Sequence, residues 1–357
     1  MRRLLAIALI ASLAAAACGE ATERATTPQL VVAATGDIDI DPEVVESFEA
    51  DRDVIVVVAR EPDPMRVLDD LAANPEAPAL DVVVGLPDAI VLDRTDLTFA
   101  EVTPAGFDDL PADLIAAAPP RTTPIAIRDL CVMFDRAALD DRGLPDPIGF
   151  PDLTTDTFAG ELVISDPAST LEGRLLLDAL RQQFPDDTAP SWLDIAATLQ
   201  RNGTEIAPTW RAGFDDIFVS DARPDGPALV WAAAAMSAAV LAFVEDPSPV
   251  STLGVVPSTC IRSTSLAVVP EATDQSALAV EFVAHLLTPE VQVTLIDGAG
   301  TLPGRRDVTL PTVWQRYAVR LSTIMRPTPR PADEPPVAAV WAALAEPDSE
   351  PVEEPEP

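Results

Sequence analysis

The chain has 357 residues, 48% of them hydrophobic, and a formal charge of −35 from 23 basic and 58 acidic side chains. That length supports one large or two medium domains and excludes a wholly disordered chain. Every basic residue is Arg, with one His and no Lys, which excludes Schiff-base chemistry on a lysine and a His-rich metal site. So acidic a chain also repels nucleic acid, whose binding rests on clustered cations against phosphates.

Met1-Arg2-Arg3, the apolar stretch Leu4–Ala17 and the small residues at its end read as an export signal over 1–17. Ala15-Ala16-Ala17-Cys18 resembles a bacterial lipobox, which implies diacylation of Cys18 and anchoring to the cell membrane through an N-terminal lipid. Ordinary cleavage near Ala17 is the other reading. No later segment offers 18 apolar residues in a row, so a soluble body outside the cytoplasm is expected. Residues 18–28 form a polar linker, and 346–357, rich in Pro and acids, form a tail expected to be disordered.

The body begins with a short apolar run, Leu30–Ala34, a turn, and an amphipathic stretch opened by Asp41-Pro42. Val54–Ala59 is strand-like, Met65–Asn74 has helical spacing, and Leu80–Gly85 reads as a buried strand. The alternation continues through Ile125–Phe134, Leu162–Ser165, a helix beginning near Glu172, Ala228–Trp231 and Ser265–Val269. Strands alternating with helices over this length predict an α/β fold of parallel or mixed sheet covered on both faces.

Several stretches, in order, resemble the substrate-binding component of a thiamine-type ABC importer: Asp81–Leu86, Leu130–Arg136, Ser165–Thr170, Thr209–Phe214, Ala228–Trp231, Leu287–Gln292 and Thr309–Pro311. The resemblance implies a two-lobed, type II periplasmic-binding-protein-like fold with two hinge-crossing strands. Lobe 1 would comprise 29–125 and 270–345, lobe 2 would comprise 136–257, and 126–135 and 258–269 would be the hinge strands. Cys131 and Cys260 then fall one on each crossing strand, and in an exported protein a disulfide between them is the expectation, two buried thiols being the alternative.

The resemblance also supplies candidate ligand-binding residues. Trp210 matches a ligand-stacking Trp, and Trp231 stands where a ligand-facing Tyr is usual, although Val230 and Ala232 beside it suit a core position equally. Asp63 lies near the position of a carboxylate directed at the ligand, and Asp37 and Asp88 follow strands at a cleft rim. Ser169 and Thr170 precede a helix, where they either cap it or meet ligand. Thr35, Ile127, Ser237 and Gly300–Pro303, including Thr301, replace aromatic residues common in thiamine binders, which opens the ligand to other small organic molecules. Trp192, Trp314 and Trp341 read as packing residues.

Competing chemistries are poorly supplied. Tyr317 is the only tyrosine, too few for a ferric-iron site, and Asp37-x-Asp39-x-Asp41 lacks the Gly and Glu of an EF-hand. His285 sits in an apolar helix rather than a triad, and neither a nucleophile elbow nor a P-loop occurs. The expected protein is a monomeric solute binder without catalysis, cofactor or metal, delivering a small ligand to an ABC permease. The rival reading is a scaffold lipoprotein with a degenerate pocket.

Overall fold

The structure is a computed structural model that describes residues 27–36, 38–219, 222–242, 250–296, 300–321, 324–330, 335 and 337–345. The first lobe opens with β1 (Gln29–Thr35), α1 (Pro42–Arg52), β2 (Ile55–Glu61), α2 (Pro64–Ala73), β3 (Val82–Pro87) and α3 (Asp88–Leu92). Asp41 and Asp63 start α1 and α2 by accepting from the N–H groups of Glu43 at 2.9 Å and Met65 at 3.0 Å. A proline at the first helical position follows each cap.

β1 lies parallel between β2 and β3. Its side chains alternate: Leu30, Val32 and Ala34 pack with Phe48 and Phe282 on one face, while Ala33 packs with Leu68 and Leu71 on the other. Burial on both faces is why β1 and β3 read as nearly unbroken apolar runs. Gly85 interrupts β3 at φ +94°, where a Cβ would lie 2.3 Å from the Thr35 carbonyl oxygen, so glycine is required at this irregularity.

After α4 (Ala112–Ala117), β4 (Thr123–Asp135) carries the chain into the second lobe. That lobe holds α5 (Arg136–Arg142), α6 (Phe150–Leu153), β5 (Leu162–Ser165), α7 (Leu171–Gln183), α8 (Trp192–Arg201), β6 (Glu205–Ala207), β7 (Leu229–Ala233) and α9 (Met236–Ala239). β8 (Leu253–Val268) returns to the first lobe, which α10 (Ser276–Leu286), α11 (Pro289–Thr294) and β9 (Leu302–Pro303) complete. The strands run β2-β1-β3-β8-β4-β7-β5-β6 with β9 paired to β4, so one twisted sheet passes through the hinge.

The sequence groups 270–345 with lobe 1, whereas the last two helices, α12 (Thr312–Tyr317) and α13 (Val337–Ala345), pack on lobe 2. Trp314 and Trp341 join the core that contains Phe214 and Trp231, and Gln200 of α8 donates to the Trp341 carbonyl at 3.2 Å. The physical reason is supply of apolar surface: α1, α2 and α10 cover the first-lobe sheet, while Trp192, Ile195 and Leu199 of α8 share one core with Trp314 and Trp341.

β4 and β8, antiparallel from Thr123↔Ala267 to Asp135↔Leu253, cross between the lobes and overlap the stretches 126–135 and 258–269. The Cys131–Cys260 disulfide joins them with a Cα–Cα distance of 4.2 Å. Two residues earlier on β4, Asp129 faces Arg262, whose Nε and Nη2 donate to its two carboxylate oxygens at 2.6 and 2.7 Å. Those side chains are 2% and 5% exposed, so the pair is a desolvated, bidentate ion pair. The C-terminal segment adds a third connection, Arg262 N–H donating to the Met325 carbonyl at 2.9 Å and Met325 N–H to that of Cys260 at 3.3 Å.

Candidate functional site

Where the lobes meet the hinge, side chains from all three converge. Trp210 follows β6 and precedes a π-helical turn at Ala212–Phe218, and its ring is buried. The guanidinium carbons of Arg128 and Arg211 lie 5.7 and 4.8 Å from the ring centroid, within cation–π range. Arg128 projects from β4, donates through Nη2 to Thr301 Oγ1 at 3.1 Å, and sits 3.7 Å from Glu172 Oε1 in the first turn of α7. The hinge thus contributes Arg128, the first lobe Thr301, and the second lobe Trp210, Arg211 and Glu172.

Local capping places Glu172. Thr170 Oγ1 accepts from Gly173 N–H at 3.0 Å and donates to the Asp166 carbonyl at 2.7 Å, while Ser169 Oγ donates to Asp166 Oδ2 at 2.9 Å. A Cβ on Gly173 would stand 2.5 Å from the Ser165 carbonyl oxygen, so α7 begins hard against the end of β5. One turn on, Arg174 Nη2 reaches Asp93 at the end of α3 at 2.7 Å, a second bridge between the lobes. Asp178 on the same helix is 2% exposed, and burial pushes its carboxyl up against the opposing pull of Arg174 and Arg181.

Asp88 is buried at the start of α3, where its Oδ1 accepts from Ala89 N–H at 2.9 Å and from Thr264 N–H of β8 at 3.0 Å. Burial raises its pKa to about 6, and those hydrogen bonds, together with Arg326, oppose the rise only in part.

The predicted residues therefore separate. Trp210 and Thr301 meet around Arg128, and Ser169 and Thr170 shape the turn that presents Glu172. Thr35 is fully buried and donates to the Val84 carbonyl at 3.2 Å. Trp231 takes the core alternative: it is fully buried on β7 between β4 and β5, its Nε1 donating to the Glu172 carbonyl at 2.8 Å. Ser237 is buried and its hydroxyl donates to the Tyr317 carbonyl at 2.7 Å, and Asp63 is an exposed helix cap. Ile127 is buried and packs in the core beside Leu130, while Leu302 and Pro303 form β9. Asp37, Cys18 and the tail at 346–357 lie outside the described residues. A cavity of about 460 Å³ on lobe 2, among Asp135, Arg142, Arg223 and Leu253, is lined by none of the predicted ligand residues.

Arg128, Glu172 and Arg174 are absent from the sequence-derived candidates. A signal for the first exists: Arg128-Asp129 is a pair of charges inside the otherwise apolar run Ile125–Phe134, where an unpaired charge would be costly.

Two α/β lobes joined by crossing strands, with a polar and aromatic cluster at their junction, define a bilobal binding protein. Residues 43–320 match the bacterial extracellular solute-binding protein family, and the chain belongs to it. That family binds solutes rather than catalysing reactions and places the protein outside the cytoplasm. Among solved structures, a periplasmic thiamin-binding protein is similar at 18% identity and a TM-score of 0.68, covering 90% of this chain and 97% of that one. An iron- and citrate-bound protein of Trichodesmium (15%, TM-score 0.65, 89% and 96% covered) shares the fold. So does a fructose-6-phosphate-bound periplasmic binding protein of Actinobacillus pleuropneumoniae (16%, 0.62, 89% and 96%). No curated protein sequence matches the chain.

Proposed function

We propose that this protein is the ligand-binding component of an ABC importer, lipid-anchored through Cys18, and that it holds a small planar organic solute of thiamine type against Trp210 between its lobes. The observation that supports this reading is the convergence of Trp210, Arg128, Arg211, Glu172 and Thr301 at the lobe junction. Two guanidinium groups beside one indole disfavour a bare cation and suit a heterocycle that also carries phosphate or carboxylate, since Arg pairs with such groups through parallel N–H donors. Thiamine phosphates meet that description better than thiamine itself, and Glu172, the carboxylate beside Arg128, supplies negative charge to the cluster.

Thermal unfolding of the purified protein against thiamine, its phosphates and a panel of charged heterocycles tests the reading. A ligand at a hundred times its Kd stabilises the folded state by about 2.7 kcal/mol, a readable shift. Arg128→Gln and Trp210→Ala should each reduce that shift. Silence across the panel, or a shift that both variants keep, overturns the assignment. Cys18→Ala should release the protein from the membrane fraction, and retention there would refute the anchor. The scaffold reading draws on one observation: Trp231 and Ser237 spend their polar atoms on Glu172 and Tyr317 rather than on a cleft. It predicts silence with every solute and no permease or ATPase encoded alongside.

A further inference from the structure

We propose that a monovalent anion, chloride being the simplest, binds beside the hinge in a cavity of about 30 Å³ lined by Arg262, Arg306 and Arg320. The three arginines arrive from separate parts of the chain: Arg262 from hinge strand β8, Arg306 from the turn after β9, and Arg320 from the segment after α12. The remaining walls are apolar side chains, among them Leu114, Ile127 and Leu321, and backbone; no carboxylate lines the cavity.

The local charges leave one positive unit over. Arg262 is matched by Asp129. Arg306 and Arg326 share one carboxylate, reaching Asp113 at 3.2 and 3.1 Å. Asp88 is the third acid that acts on Arg262 and Arg326. Among the described residues no carboxylate pairs with Arg320, so four guanidinium groups stand against three carboxylates. Arg262 is buried while Arg306 and Arg320 are exposed, so the cluster opens to solvent on one side; partial desolvation, with Arg306 and Arg262 alongside, pushes the Arg320 guanidinium down.

Size selects the ligand class. A space of this volume accepts one water-sized or monatomic species, which admits a halide and leaves no room for a whole phosphate. In a chain of net charge −35 an anion is held only where the local sign is reversed, as it is here. The bound anion ties the C-terminal segment to β8, which links halide concentration to the stability of the hinge.

The test is thermal unfolding of the purified protein at constant ionic strength while gluconate is exchanged for chloride or bromide. The expected result is a saturable rise of about 2 °C in Tm at tenfold excess over Kd, lost in Arg320→Gln and kept in the control Arg52→Gln, an exposed arginine paired with Glu281. The 35Cl resonance should broaden with the wild-type protein and sharpen with Arg306→Gln. A Tm indifferent to the halide, a rise retained by Arg320→Gln, or an unbroadened wild-type chloride line overturns the proposal. The wild-type measurement decides even if a variant fails to fold.

Discussion

Reducing the Cys131–Cys260 disulfide should cost about 5 kcal/mol of stability without changing the folded hinge. The bridge closes a loop with a sequence separation of 129, and the chain-entropy relation for a loop of that length, about 17 cal/mol/K, gives about 5 kcal/mol at room temperature. The effect resides in the unfolded state. In the folded state β4 and β8 stay registered by their backbone ladder and by the Asp129–Arg262 pair, both independent of the sulfurs. Reduced wild-type protein is a better comparison than a Cys→Ala variant, because both cysteines are buried among Ala234, Val319 and Leu321 and truncation would add a packing loss. Guanidinium unfolding followed by tryptophan emission is the assay. The midpoint should fall on reduction and the m-value should rise, since a chain freed of its cross-link exposes more surface when unfolded. A stability difference under about 1 kcal/mol at unchanged m would refute the reasoning. Intact masses that fail to differ by two hydrogen atoms between oxidised and reduced samples would refute the bridge itself.

Asp129→Asn leaves the Arg262 guanidinium buried against a neutral partner and should cost about 3–5 kcal/mol in urea unfolding, while the double change Asp129→Leu with Arg262→Met costs less than the single one; additive losses would contradict this. Asp88 provides a pH dependence with a defined sign. Its folded pKa of about 6 lies above the ordinary 3.8, so the folded state holds the proton more tightly and the associated stability, present below about pH 4, is lost as pH rises through 6. Over that window the wild type should lose about 3 kcal/mol relative to Asp88→Asn, which keeps the acceptor for Ala89 and Thr264; parallel pH–stability curves for the two proteins would sink the argument. Gly173→Ala should cost about 1–3 kcal/mol by driving α7 away from Ser165 and Pro167, and a wild-type melting temperature would show that the turn yields freely.

Much of the secondary structure is legible in the chain because its causes are local. Burial on both faces writes β1 and β3 as apolar runs, Asp41 and Asp63 before prolines announce α1 and α2, and Thr170 ahead of Gly173 announces α7. The three-residue β6 and two-residue β9 are not legible, since so short a strand carries no periodicity and forms only because a neighbour's ladder is already there. Likewise α13 reads as apolar and helical, but nothing in it says that α8 is its partner.

The site divides along the same line. Composition and the order of motifs point to a bilobal α/β binding protein with a cysteine on each crossing strand. Local sequence is identical whether Trp231 faces a ligand or a core, and the choice falls to β7 lying between β4 and β5 with both faces covered. Arg128 draws its partners from Glu172, Trp210 and Thr301, and Arg262 finds Asp129 across 133 residues of chain. A charge can enter a desolvated interior only where an opposite charge or a donor set arrives from elsewhere. Which residue supplies that partner is a property of the assembled sheet and hinge, so tertiary structure alone decided the polar cluster between the lobes and the arginines beside the hinge.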